Sequence, residues 1–188
     1  DPAELASQFI PNAQEKKYCG RKVVTVIGMI FADLFAGAFF LMFFIFAAVL
    51  GIVAVAAVIL GICLLGRLNF NDLIPNMPYL CAFIFAVSFF AFAILSAAAC
   101  LYFVVFTRQL IRSYKRFHIN VIASSSGKAT LPSLPVYPLL SHKFNRRLRM
   151  LVLSSVTMLA VSLVSGYIIS AIIAGNLEFW HVWRWFVK

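Results

Sequence analysis

The side chains able to carry out chemistry are few and scattered. His118, His142 and His181 are far apart in the sequence, and Ser154 and Ser155 have no base nearby. Neither His-x-x-x-His nor Gly-x-Ser-x-Gly spacing occurs, so the pattern predicts no metal centre and no activated nucleophile. The four cysteines have no paired spacing that would indicate a disulfide framework: Cys19, Cys63, Cys81 and Cys100. We therefore expect no catalytic, cofactor-binding or metal-binding residues, and a protein that is not an enzyme.

Asp33 is the one ionisable residue well inside an apolar segment. A carboxylate at the centre of a bilayer costs about 2.5–3.5 kcal/mol on insertion scales, so such a residue is by default a functional hypothesis. Asp33 is therefore a candidate coupling or lining residue for a proton or a cation. The alternative is an aspartate near a helix break whose side chain reaches water or caps a backbone amide.

Positive charge is the second chemical feature. The net charge is +10, and nine of the sixteen Lys and Arg residues lie between Thr107 and Arg149. Basic residues beside membrane spans are held by the anionic cytoplasmic leaflet. Nucleic-acid binding is not expected, because this run directly adjoins two apolar segments. The residues expected to contact lipid headgroups or a partner are Arg108, Arg112, Lys115, Arg116, Arg146, Arg147 and Arg149.

The composition indicates which elements carry these residues. Hydrophobic residues make up 63% of the 188 positions, twenty of them Phe, and the mean hydropathy is +0.98. Soluble domains contain about 45–50% apolar residues. The sequence therefore predicts an all-α, polytopic transmembrane bundle of four hydrophobic helical segments, surrounded by lipid that includes anionic species.

Four regions follow along the chain. Residues 1–22 are interpreted as the end of a soluble helical module, stopped at Pro11, plus a basic collar. Residues 23–106 are predicted to hold three transmembrane helices. Residues 107–149 form a basic amphipathic helix and a Pro/Ser-rich loop, and residues 150–188 a final span with an aromatic interfacial tail.

The number of crossings stays open at this point. Residues 23–65 would form one helix of roughly 65 Å, about twice the hydrocarbon thickness, so a break near Gly37 is predicted. Placing both the collar and the basic loop in the cytoplasm requires an even number of crossings between them. Either the first segment lies at the interface or re-enters, leaving three crossings, or all four segments cross and the loop is outside.

Two further patterns suggest contacts. Small residues recur at every fourth position of the last span, which lets another helix approach closely, either within this chain or from a partner: Ser162, Gly166, Ser170 and Ala174. The proline-punctuated stretch 131–138 is interpreted as a spacer or as a preformed polyproline II segment for docking.

The beginning of the chain carries a family resemblance. Asp1-Pro2-Ala3-Glu4-Leu5-Ala6, followed by Phe9-Ile10, resembles the closing helix of the HAAS helical module. The order of collar, long apolar run, loop, third segment and basic exit helix is similar through about Asn120. The resemblance implies a bacterial inner-membrane protein, often encoded beside a PadR-type regulator, with a signalling or transporter-accessory role. The Pro-rich loop and the extra C-terminal span depart from the family pattern.

Two functions of different classes remain for these residues, and a third alternative is a membrane enzyme whose catalytic part lies upstream of Asp1. The first is a non-enzymatic membrane sensor, signalling or transporter-accessory protein whose helices pack with a membrane protein partner or with a second copy. The second is a small transporter or channel subunit that uses Asp33 as a coupling or lining residue.

Overall fold

The protein consists of three long helices. The computed structural model describes the backbone of residues 2–68, 76–126, 128–138, 140–178, 180 and 183, with side chains described from Val23 onward. Helix α1 spans Pro2–Gly66, α2 spans Tyr79–Ser125 and α3 spans His142–Ala174. No strand occurs in the described part of the chain. Each of the three helices is long and apolar enough to cross a membrane.

Helix α1 is continuous where the sequence predicts interruptions. It passes through both Pro11 and Gly37, so the expected stop and the expected break are absent. One Gly in a helix interior costs only about 1 kcal/mol relative to Ala, which a helix of this length tolerates. The predicted four hydrophobic segments are therefore replaced by three helices, the first of them 65 residues long.

The ends of the helices follow local turn chemistry. After Gly66, Arg67 adopts a left-handed conformation with φ 49°. Helix α3 ends in the same way at Gly175, which has φ 70° and donates its N–H to the carbonyl of Ile172 at 3.3 Å. A left-handed residue after the last helical turn is favourable for glycine, which has no Cβ. Most of the loop predicted between α1 and α2 lies outside the described residues.

Contacts divide the chain into two units. The first unit contains residues 1–45 and 104–139, and thus the first part of α1, the second part of α2 and the segment that follows α2. We call residues 128–138 the strap. Within this unit, the rings of Phe40 and Tyr114 meet edge to face at 5.6 Å between centroids, which joins α1 to α2.

The second unit contains residues 46–103 and 140–188. Its interior consists mainly of small side chains, among them Ala47 and Ala57 of α1 and Ala86 of α2. Small residues let helix backbones approach closely without a hydrophobic driving force between them. Large side chains such as Ile52, Leu153 and others point outward. This inverted distribution suits a surrounding of lipid rather than water.

Candidate functional site

A cluster of three polar side chains joins α1 to α2 in the first unit. Asp33 belongs to α1, and Tyr114 and His118 lie one turn apart on α2. The Tyr114 hydroxyl donates a hydrogen bond of 2.8 Å to Asp33 Oδ1. His118 Nε2 lies 2.8 Å from the same carboxylate oxygen. The rings of Tyr114 and His118 meet at 4.7 Å between centroids, so the three side chains form one contact cluster.

The electrostatics of this cluster depend on His118. The Asp33 side chain is 51% exposed and the His118 side chain 20% exposed. His118 Nε2 is buried and makes no aligned hydrogen bond within the described part of the chain, so its contact with Asp33 is electrostatic. The contact becomes an ion pair when the imidazole is protonated.

Beside the cluster lies an apolar groove of about 380 Å³. Tyr114 belongs to both, because its ring lines the groove while its hydroxyl reaches Asp33. The other lining residues are Ala36, Phe39, Phe40, Phe43, Leu110, Ser113 and Phe117. The wall is thus aromatic, and the hydroxyl groups of Tyr114 and Ser113 are its polar side-chain groups.

Side chains of α2 form hydrogen bonds with the backbone of the strap. Asn120 both donates to the carbonyl of Leu131 at 2.8 Å and accepts from the Leu131 N–H at 2.9 Å. Arg116 Nε donates to the carbonyl of Pro132 at 3.1 Å, and Gln109 Nε2 to that of Pro135 at 2.8 Å. Three carbonyls of the Pro-rich stretch therefore accept hydrogen bonds from side chains of α2. This arrangement agrees with the spacer interpretation better than with a free docking segment.

These contacts divide the basic residues that are predicted to contact lipid or a partner into exposed ones and one that is bound to the strap. Arg108, Arg112 and Lys115 are exposed on α2, whereas Arg116 is half-buried and bound to the strap. In the second unit, the three arginines near the start of α3 are all exposed: Arg146, Arg147 and Arg149.

The small-residue stripe of α3 packs against α2 inside the chain. Ser88 donates a buried hydrogen bond of 2.8 Å to Ser162, and Ser170 donates to the Cys81 sulfur at 3.5 Å. Gly166 lies between them, close enough that a Cβ there would meet Ile84 and Phe85 at 3.3 Å. The fourth residue, Ala174, is half-buried. Helix α2 therefore occupies this face, which agrees with the interpretation that the stripe packs within the chain.

Sequence reasoning missed the partners of Asp33. Tyr114 and His118 have the i, i+4 spacing that places two side chains on one helix face, which was the available signal. Which residue of α1 faces them depends on the register of α1 against α2, and no local sequence pattern indicates that register.

Glu178 and His181 have Glu-x-x-His spacing, but His181 lies outside the described residues.

The aromatic tail is described at two positions, Trp180 and Trp183. The Trp183 ring lies 6.2 Å from that of Phe85, in an edge-to-face arrangement. Within the described part of the chain, no group of three or more His, Cys, Asp or Glu side chains is placed to hold a metal ion.

Comparisons with family models, with curated proteins and with solved structures find no match to this chain. The resemblance of the first ten residues to the HAAS module therefore stays a prediction.

Proposed function

We propose that this chain is a non-enzymatic integral membrane protein of the signalling, sensor or transporter-accessory type, in a bacterial inner membrane. The observation that carries the proposal is that polar side chains of this chain bind one another between helices. Asp33, Tyr114 and His118 bind one another across α1 and α2, and Ser88 with Ser162 does the same across α2 and α3. Side chains arranged in this way hold helices together, and the membrane provides the apolar surroundings.

The continuity of α1 supports three crossings. One uninterrupted helix passes through a bilayer once, so the apolar stretch Val23–Gly66 contributes one crossing in spite of its 44 residues. Helix α2 then returns the chain to the first side. The collar at Lys16–Lys22 and the basic residues after Thr107 are thus separated by two crossings, and both lie in the cytoplasm as the positive-inside rule requires.

A partner helix would use a face other than the α3 stripe, because α2 already fills that face. The outer face of α1 is the available alternative in the first unit. Its large apolar side chains are exposed, with Leu34 at 71% and Phe35 at 66%. Association in membranes depends on van der Waals packing rather than on removal of apolar surface from water. A partner, or a second copy of this chain, would therefore pack directly against this face.

Asp33 also supports a second candidate, a small transporter or channel subunit. A coupling site needs a group that exchanges protons beside the acidic side chain, and His118 lies 2.8 Å from the carboxylate. A histidine side chain can both accept and donate a proton. Proton movement through such a pair would follow the contact between α1 and α2.

One experiment separates the two functions. We would reconstitute the full chain in liposomes that contain a pH-sensitive dye and apply a proton or alkali-cation gradient. For an accessory or signalling protein we expect no flux above that of empty liposomes. A flux that Asp33→Asn abolishes, with incorporation into liposomes unchanged, would replace the first proposal by the transporter. Serine substitution at Thr25, a polar position elsewhere on α1, provides the matched control.

A further inference from the structure

We infer that Arg108, Arg112 and Lys115 form a binding surface for the headgroups of anionic phospholipids, and that Arg116 does not belong to it. The inference rests on the proposed membrane function, which it refines by naming the ligand and the residues. The sequence alone grouped these four cations together. The structure divides them according to what covers each face of α2.

The three faces of α2 in the first unit have different neighbours. Helix α1 covers the face that carries Leu110, Ser113 and Tyr114. The strap covers the face that carries Gln109, Arg116 and Asn120. Arg108, Arg112 and Lys115 are spaced i, i+4 and i+7, so they share the remaining face, and all three are exposed.

The charges on this remaining face are not balanced within the described part of the chain. Like charges at i, i+4 destabilise a helix by a few tenths of a kcal/mol. Asp33 is the only acidic side chain described in the first unit, and it contacts the α1-facing side of α2 through Tyr114 and His118. A second copy of the chain would bring a further net charge of +10, so the complementary partner must be an anion.

The position of the three cations selects a lipid as that anion. The apolar run of α2 ends at Phe106, two residues before Arg108. At about 1.5 Å per residue, Arg108 and Arg112 stand roughly 3 and 9 Å beyond Phe106, and Lys115 roughly 14 Å. The headgroup layer of each leaflet is about 5–8 Å thick, and charges act over a further 8–10 Å at physiological salt. The three side chains therefore fall within reach of lipid phosphates.

The test measures which lipids stay bound to the full chain. We would purify it from mixed micelles holding equal amounts of phosphatidylglycerol and phosphatidylcholine, and count the retained lipids by native mass spectrometry. We expect phosphatidylglycerol to be retained in excess. Each cation near an anionic surface contributes about fivefold to binding, so the triple variant R108Q/R112Q/K115Q should lose on the order of tenfold or more of that preference.

Single variants provide the matched comparison. R112Q and R116Q each remove one positive charge from the same helix, but only Arg116 is bound to the strap. We expect R112Q to lower the preference several-fold and R116Q to change it less than twofold. R112K, which keeps the charge, should retain the preference and shows that the helix is intact. Equal losses in R112Q and R116Q, or an unchanged triple variant, would overturn the inference. Lipid retention and liposome flux are measured separately. A failure of the lipid-binding inference can therefore be told apart from a failure of the proposed function.

Discussion

At the level of single residues, the contact between Asp33 and His118 predicts a measurable coupling between the two side chains. The two side chains lie 2.8 Å apart, and Asp33 is half-exposed, so solvent screens much of their attraction. A double-mutant cycle with Asp33→Asn and His118→Gln should give a coupling energy of about 0.5 kcal/mol.

The measurement is the midpoint of SDS-induced unfolding, followed by circular dichroism in mixed micelles. Tyr114→Phe is the control, since it removes the 2.8 Å hydrogen bond to Asp33 without removing a charge. The coupling between Asp33 and His118 should persist in that background. A coupling energy of zero would show that the two side chains do not interact.

The buried hydrogen bond between Ser88 and Ser162 permits a second prediction at this scale. Both side chains are buried, and the donor–acceptor distance is 2.8 Å. Hydrogen bonds between transmembrane helices contribute about 0.6 kcal/mol on average in double-mutant cycles. Ser162→Ala should therefore lower the free energy of unfolding by about that amount, and Ser88→Ala should add little once Ser162 is gone. Additive losses in the double variant would contradict the bond.

At the level of elements, substitutions at Gly166 and Gly37 test which helix faces are in contact. Both are helical glycines, but a Cβ at Gly166 would touch Ile84 and Phe85 at 3.3 Å, whereas one at Gly37 would meet nothing within 4 Å. Gly166→Leu should destabilise the packing of α2 on α3 by about 1–3 kcal/mol through overpacking. Gly37→Leu should leave stability unchanged or raise it by up to about 1 kcal/mol, because glycine is a poor helix former.

The readout is again the SDS unfolding midpoint. If Gly166→Leu were as well tolerated as Gly37→Leu, α3 would not pack on α2 through this stripe. A large loss in Gly37→Leu would instead indicate a partner or a second copy on that face of α1.

The helical content of this protein was predictable, and its contacts were predictable only in part. Apolar composition and length indicated helices, and the Ser162–Ala174 spacing indicated a close helix contact. The uninterrupted α1 was not predicted, because the argument for a break at Gly37 assumed that the whole apolar run must fit inside the bilayer. The bond between Tyr114 and Asp33 links residues 81 positions apart. Such a pairing depends on the register of two long helices, which local sequence patterns do not encode.

At the level of the whole molecule, charge and helix number together determine orientation. Both the collar and the loop after α2 are rich in Lys and Arg, while residues 67–78 between α1 and α2 contain a single basic residue, Arg67. Three crossings place both basic regions on one side. Four crossings would put the nine basic residues between Thr107 and Arg149 outside, against the usual bias.

Single-cysteine labelling tests this orientation at three positions. Starting from a chain without Cys19, Cys63, Cys81 and Cys100, one cysteine is placed at Ser126, at Asn76 or at Asn176. Asn76 precedes α2, Ser126 follows it and Asn176 follows α3, and none of the three is buried. In spheroplasts treated with a membrane-impermeant thiol reagent, we expect labelling at Asn76 and Asn176, and protection of Ser126 until lysis. Four crossings from the same cytoplasmic start reverse all three results, so the pattern, rather than a single site, decides between them. A loop at Ser126 inside the cell would also place Arg108, Arg112 and Lys115 beside the leaflet that carries the anionic lipids.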